Sequence, residues 1–179
     1  MDSYNDIELV GLAKGGQARA LEHLFEKYYM TVYRLAYKWC GVTEDAEDIA
    51  QDVFVKIVRK LHTFSQQSSF KTWLYRIVIN TAKDFGRKRA GKQALEASFV
   101  WEQHLHNPAG SGGDTVEAGR LMAAIGRLPL KQKEAVLLVY GEELSHKETS
   151  KVLGCAETTV SWRIFQAKKR LKKSLEQEK

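Results

Sequence analysis

The stretch SHKETSKVLGCAETTVSWRIFQAKKRL, residues 145–171, decides how this chain is read. Ser145 and Glu148 stand three apart, the spacing at which a hydroxyl and a carboxylate satisfy each other's backbone N–H groups at a helix start. That short helix runs through Leu153, and Gly154 supplies the backbone freedom of a tight turn. A longer helix follows from about Glu157 to Leu175, with Val160, Ile164, Ala167 and Leu171 on its inward stripe. Ser150 is small where the two helices must approach. The pattern fits a helix-turn-helix, whose second helix lies in the DNA major groove with its outer face on base edges. That outer face holds Thr158, Ser161, Trp162, Phe165, Gln166 and Lys169. Arg163, Lys168, Lys169, Arg170, Lys172 and Lys173 add positive charge with no acid between them, which suits phosphate neutralisation. An ordinary helical hairpin with a solvated basic face would carry the same residues, so the motif alone leaves both readings open.

Working back from this motif, Ala135, Val136, Leu138 and Val139 mark one more helix. Pro129 stops or bends the chain before it, and helical pattern starts at about Thr115 with Met122, Ile125 and Leu128. Between 91 and 114 the periodicity fails, and Asn107-Pro108-Ala109-Gly110-Ser111-Gly112-Gly113 is a strong breaker cluster. This segment is expected to be a flexible linker. His104 and His106 are read as solvated linker residues rather than metal ligands.

The first half repeats the helical theme. Leu21, Leu24, Phe25, Tyr28, Val32, Leu35, Ala36 and Trp39 share one face of a helix that Gly41 ends. Ala46, Ile49, Ala50, Val53, Phe54, Ile57 and Leu61 form a second stripe, whose outer face carries Asp45, Asp48, Asp52, Lys56 and Arg59. Residues 63–69 read as a polar loop. A third helix, about Phe70 to Lys88, buries Phe70, Trp73, Leu74, Ile77, Val78, Thr81 and Phe85. The chain is therefore expected to be all-α: a helical domain over 1–90, a linker over 91–114 and a helix-turn-helix domain over 115–179.

Composition narrows the function. The 179 residues carry a formal net charge of +6, concentrated in two blocks. Residues 61–93 hold seven cations against one acid, and residues 131–179 hold eleven against seven. The first block interleaves Lys71, Arg76, Lys83, Arg87, Lys88 and Arg89 with Phe70, Trp73, Tyr75 and Phe85, a mixture that suits single-stranded DNA. Most of those rings fall on the core stripe, which leaves Tyr75, Arg76 and Asn80 as the contact candidates. The two cysteines, Cys40 and Cys155, lack metal-ligand spacing and read as buried reduced thiols. The acidic, polar start is unlike a signal peptide, and no apolar run approaches the roughly 20 residues of a membrane span. A cytoplasmic protein without membrane insertion is expected. No phosphate-binding glycine loop and no nucleophile–base pair stand out, so neither an enzyme nor a cofactor or metal site is expected.

Several segments in order then carry a resemblance. Residues 28–36, 45–54 and 69–80 resemble the first conserved domain of bacterial sigma factors. Residues 128–133, 144–148 and 159–163 resemble the second. Together they resemble the extracytoplasmic-function (ECF) sigma factors over nearly the whole chain outside the linker. The resemblance implies that Asp48, Gln51 and Asp52 dock on core RNA polymerase. It implies that loop 63–69, with Arg76 and Asn80 of the helix after it, opens and holds the −10 element, and Tyr75, Lys83 and Arg87 of the same helix are expected to join them. Thr158, Ser161, Trp162, Arg163, Phe165, Gln166 and Lys169 would then read the −35 element as duplex. An anti-sigma partner is implied in the same way. Three residues depart from the family's habit: Ala156 stands where a capping serine is common, Trp162 occupies a usually small or polar position, and Phe165 adds a second outward aromatic. Alanine is a poor cap, at a cost on the order of 1 kcal/mol. Two other readings are a stand-alone helix-turn-helix regulator, which needs no acidic docking helix, and a metal-dependent nuclease built on Asp45, Glu47, Asp48 and Asp52.

Overall fold

In a computed structural model the chain is described over residues 4–95 and 116–177, and every element among them is helical. Four helices build the first domain: α1 (Asp6–Lys14), α2 (Ala18–Cys40), α3 (Thr43–Lys60) and α4 (Phe70–Leu95). α2 and α3 form an antiparallel hairpin because Gly41 adopts a left-handed conformation (φ 73°) that closes α2. α4 lies across both, and Val32, Leu35, Ile49, Val53, Ile57, Leu74 and Val78 share the core. The predicted stripes of all three helices face inward as the 3.6-residue period requires. Cys40 and Cys155 are free but half-buried rather than fully enclosed.

α1 is a helix that the sequence reading leaves out. Asn5 and Glu8 form a reciprocal capping box at its start, and Leu9 and Val10 anchor it in the core. It is tied to α2 by the Asp6 carboxylate, which accepts from the Tyr28 hydroxyl and lies 2.6 Å from Lys27 Nζ.

The second domain holds α5 (Val116–Gly126), α6 (Leu130–Val136), α7 (His146–Leu153) and α8 (Glu157–Gln177). Pro129 sits at the start of α6, and α6 runs on into a π-helical turn over Leu137–Gly141. The capping box at Ser145 and Glu148 is formed, and Gly154 is left-handed (φ 63°) between α7 and α8. Val152, Val160, Ile164 and Ala167 pack the two helices of this motif together. The predicted linker begins later than its sequence suggests, because α4 continues to Leu95. Its remainder, including His104 and His106, lies outside the described residues.

Candidate nucleic-acid and polymerase interfaces

Three polar faces stand on this scaffold. The first is acidic and lies on α3. Inward-facing Ile49, Ala50 and Val53 leave Asp48, Gln51 and Asp52 exposed on the opposite side, with Val55 exposed one turn further on. Asp45 does not join them. It is mostly buried and paired with Arg89 near the end of α4. Lys56 also turns toward α4, donating to Thr81 Oγ1 at 3.0 Å.

The second face is the basic stripe of α4. Arg76, Asn80, Lys83 and Arg87 follow one another at helical spacing, so the fold brings four of the five predicted residues into line. Asn80 and Arg87 are exposed, and Arg87 pairs with Asp84, whose carboxyl the Arg87 hydrogen bond holds below its ordinary range. Tyr75 is different. It is fully buried, and its hydroxyl donates to Glu142 Oε2 of the second domain at 2.7 Å. Burial first, and the adjoining Glu142 carboxylate second, push its phenol above the ordinary value. In this arrangement Tyr75 presents nothing to solvent, against the expectation that it is a contact residue. The loop before α4 is anchored by buried Phe64 and Phe70, whose rings meet edge-on at 5.7 Å. Ser65, Gln66 and Gln67 are left exposed between them. Ser69 Oγ accepts from the Thr72 N–H and so caps α4.

The third face is the outer side of α8. Thr158, Ser161, Trp162, Phe165 and Lys169 are exposed, while Arg163 and Gln166 are half-buried. Trp162 and Phe165 are 60% and 64% exposed, more than any other large apolar side chain described. Ser161 is held from both sides, by His146 Nδ1 at 2.9 Å and by the Glu157 carbonyl at 3.2 Å. At the start of α8 the Ala156 carbonyl accepts from the Thr159 and Val160 N–H groups, but its side chain offers no cap.

Two parts of the chain match family models: residues 24–92 match Sigma-70 region 2, and residues 118–171 match Sigma-70 region 4. The RNA polymerase sigma-H factor of Pseudomonas aeruginosa is 33% identical over 96% of this chain and 94% of its own length. The ECF RNA polymerase sigma factor SigM of Mycobacterium tuberculosis is 30% identical over 96% of this chain and 85% of its own. This chain belongs to the ECF sigma factors. Family membership makes it a non-enzymatic transcription initiation factor, which removes the nuclease reading and the stand-alone regulator with it. The fold agrees. CnrH, solved in complex with the cytosolic domain of CnrY, superposes with a TM-score of 0.73 over 97% of this chain at 24% identity. The sigma factor RpoE of Bartonella quintana, solved with the anti-sigma factor NepR, gives 0.72 over 87% at 23% identity.

The sequence reading misses the side chains that join the domains: Lys38, Lys133, Glu134 and Glu142. Lys133 Nζ donates to the Trp39 carbonyl at 2.5 Å and lies 5.2 Å from the Trp39 ring centre. Burial lowers its pKa. Among these, only the pattern of Leu128 to Lys133 could have drawn notice, and it gives no partner.

Proposed function

We propose that this sigma factor divides its task among the three faces. Asp48, Gln51 and Asp52 dock on core RNA polymerase. Arg76, Asn80, Lys83 and Arg87, with loop 63–69, open and hold the −10 element, and Tyr75 joins them only if the domains part. Thr158, Ser161, Trp162, Arg163, Phe165, Gln166 and Lys169 read the −35 element. The division corresponds to a first domain over 1–90 and a second over 115–179. The observation that carries this reading is that an acidic face and two basic faces stand on separate helices. An acidic helix would repel DNA but suits a protein partner, whereas a basic stripe on a helix suits phosphate.

His146 fixes the rotamer of Ser161, so its role is to position a base-reading hydroxyl rather than to touch DNA. Trp162 and Phe165 suit thymine methyl groups in the major groove. The same rings make a mixed apolar and basic surface that suits an anti-sigma factor, in keeping with the anti-sigma complex of the Bartonella relative. Among the described residues no helix is long and apolar enough to cross a membrane, and a factor that serves polymerase works in the cytoplasm.

Polymerase docking is tested by gel filtration of the chain with core enzyme. Co-elution supports the reading. Separate elution from a cognate core at micromolar concentrations contradicts it.

A further inference from the structure

The loop before α4 is held at both ends from α1. A 3-10 turn over Leu61–Thr63 follows α3, and the Phe64 N–H donates to the Leu61 carbonyl at 3.1 Å. The Phe64 carbonyl accepts from Lys14 Nζ, in the last turn of α1, at 2.6 Å. The same ammonium lies 5.9 Å from the centre of the Phe64 ring, which also packs on Trp73 at 5.5 Å. Both backbone groups and the ring of Phe64 are therefore engaged where the loop begins. At its far end the Phe70 ring packs on Tyr28 at 5.3 Å, and the Tyr28 hydroxyl donates to Asp6 in the first turn of α1. α1 thus reaches Phe64 directly and Phe70 through Tyr28.

Between these anchors Ser65, Gln66 and Gln67 are exposed. Gln66 is left-handed (φ 60°), a conformation that a residue with a side chain keeps only where its surroundings impose it. A lysine at the end of a surface helix ordinarily leaves its ammonium in water. Lys14 instead spends its charge on a carbonyl, and a charged donor makes a stronger bond than a neutral one.

We propose that α1 belongs to the promoter-opening apparatus, with Lys14 as a positioning residue that sets loop 63–69 in the shape that receives an unstacked −10 base. This rests on the reading of that loop as a holder of the −10 element. Lys14 touches no DNA in this role. Extruding a base is unfavourable, and a loop already fixed in the receiving shape loses less freedom on capturing it. Without the Lys14 bond the loop samples more shapes, so strand opening slows while polymerase docking and −35 reading are untouched.

The test uses the full chain assembled with cognate core polymerase, on a promoter selected by in vitro transcription. A fluorescent base analogue in the −10 element separates the rate of opening at saturating holoenzyme from the constant for initial binding. Lys14→Met keeps the apolar stem and removes the donor, and Lys14→Arg restores a charged donor. Circular dichroism checks each fold, and Lys14→Gln takes the place of Lys14→Met if that variant unfolds. Lys14→Met is expected to slow opening about fivefold, with initial binding and core affinity at parental values, and Lys14→Arg to recover most of the rate. A parental opening rate in Lys14→Met, a loss that falls equally on core binding, or a loss that Lys14→Arg does not recover overturns the proposal. Asn80→Ala is measured beside them. If it slows opening and Lys14→Met does not, the −10 reading stands and the positioning role fails. If neither slows opening, the −10 reading itself fails and the proposal falls with it.

Discussion

α4 and α8 are both long helices with an apolar stripe on one side and cations on the other, yet they meet different surroundings. On α8 the outer face is open, with Trp162 and Phe165 more than half exposed. On α4, Lys83 faces an enclosed glutamate, Arg76 meets a carbonyl of α7, and Tyr75 lies under the second domain. The difference teaches that charge composition does not give availability. Each helix places cations at helical spacing, but on α4 a buried carboxylate of the other domain, Glu134, answers one of them, Lys83. The outer face of α8, proposed to read the −35 element, is thus open, whereas the stripe of α4 proposed to hold the −10 element is partly engaged by the second domain.

The largest effect that would separate the faces from polymerase docking is Asp48→Arg. Reversing a charge in the exposed acidic face of α3 should weaken core polymerase binding about a hundredfold, since like-charge contacts cost several kcal/mol. Duplex binding by the free chain should be unchanged. Native gel shifts with core enzyme and with promoter duplex check both halves.

Next come paired substitutions on the two helices. Phe165→Ala should weaken promoter duplex binding about tenfold both in the free chain and in the polymerase complex, because its face is already open. Arg76→Ala should leave duplex binding by the free chain alone and lower open-complex formation by a similar factor in the complex. Permanganate footprinting reads the second effect. An equal loss of free-chain duplex binding from Arg76→Ala would break the comparison.

A smaller change is expected for Arg163→Ala, which should reduce the dependence of log affinity on log salt by about one unit for duplex DNA. Binding measured across a salt series checks it.

The smallest effect concerns the local order of the helix-turn-helix. Ser145→Ala removes the cap of α7 and should cost about 1 kcal/mol, a few degrees of Tm by calorimetry. Hydrogen bonds from Ser145 hold the Glu148 carboxyl below its ordinary pKa. Its contribution is therefore present above the ordinary carboxylate range and is lost as pH falls through the lowered value. Ser145→Ala should narrow the stability difference between neutral and acidic pH.

Local signals made much of this legible from the amino-acid sequence. The capping box at Ser145 and Glu148, the left-handed Gly154 and the stripes of α2, α3 and α4 all arise within a few turns of chain. The Asn5–Glu8 capping box of α1 was equally local and went unread, because a nine-residue helix with only Leu9 and Val10 buried offers little periodicity. Tyr75 could not be placed in the same way. Its hydroxyl is taken up by Glu142, sixty-seven residues distant in sequence, and helical spacing carries no information about a contact between domains. Asp45 illustrates the same limit at shorter range: its position on α3 looks outward until the end of α4 brings Arg89 against it. The separate faces were readable from their own helices, whereas their state was not.

The central claim, that this chain directs initiation by core polymerase, is tested most directly by in vitro transcription. Cognate core enzyme and a pool of genomic promoters are incubated with and without the chain, and transcript 5′ ends are mapped. The account predicts initiation at a defined set of start sites only when the chain is present, with shared −10 and −35 sequences upstream. A cognate core that stays silent, while the chain alone binds specific duplex sites, would contradict it.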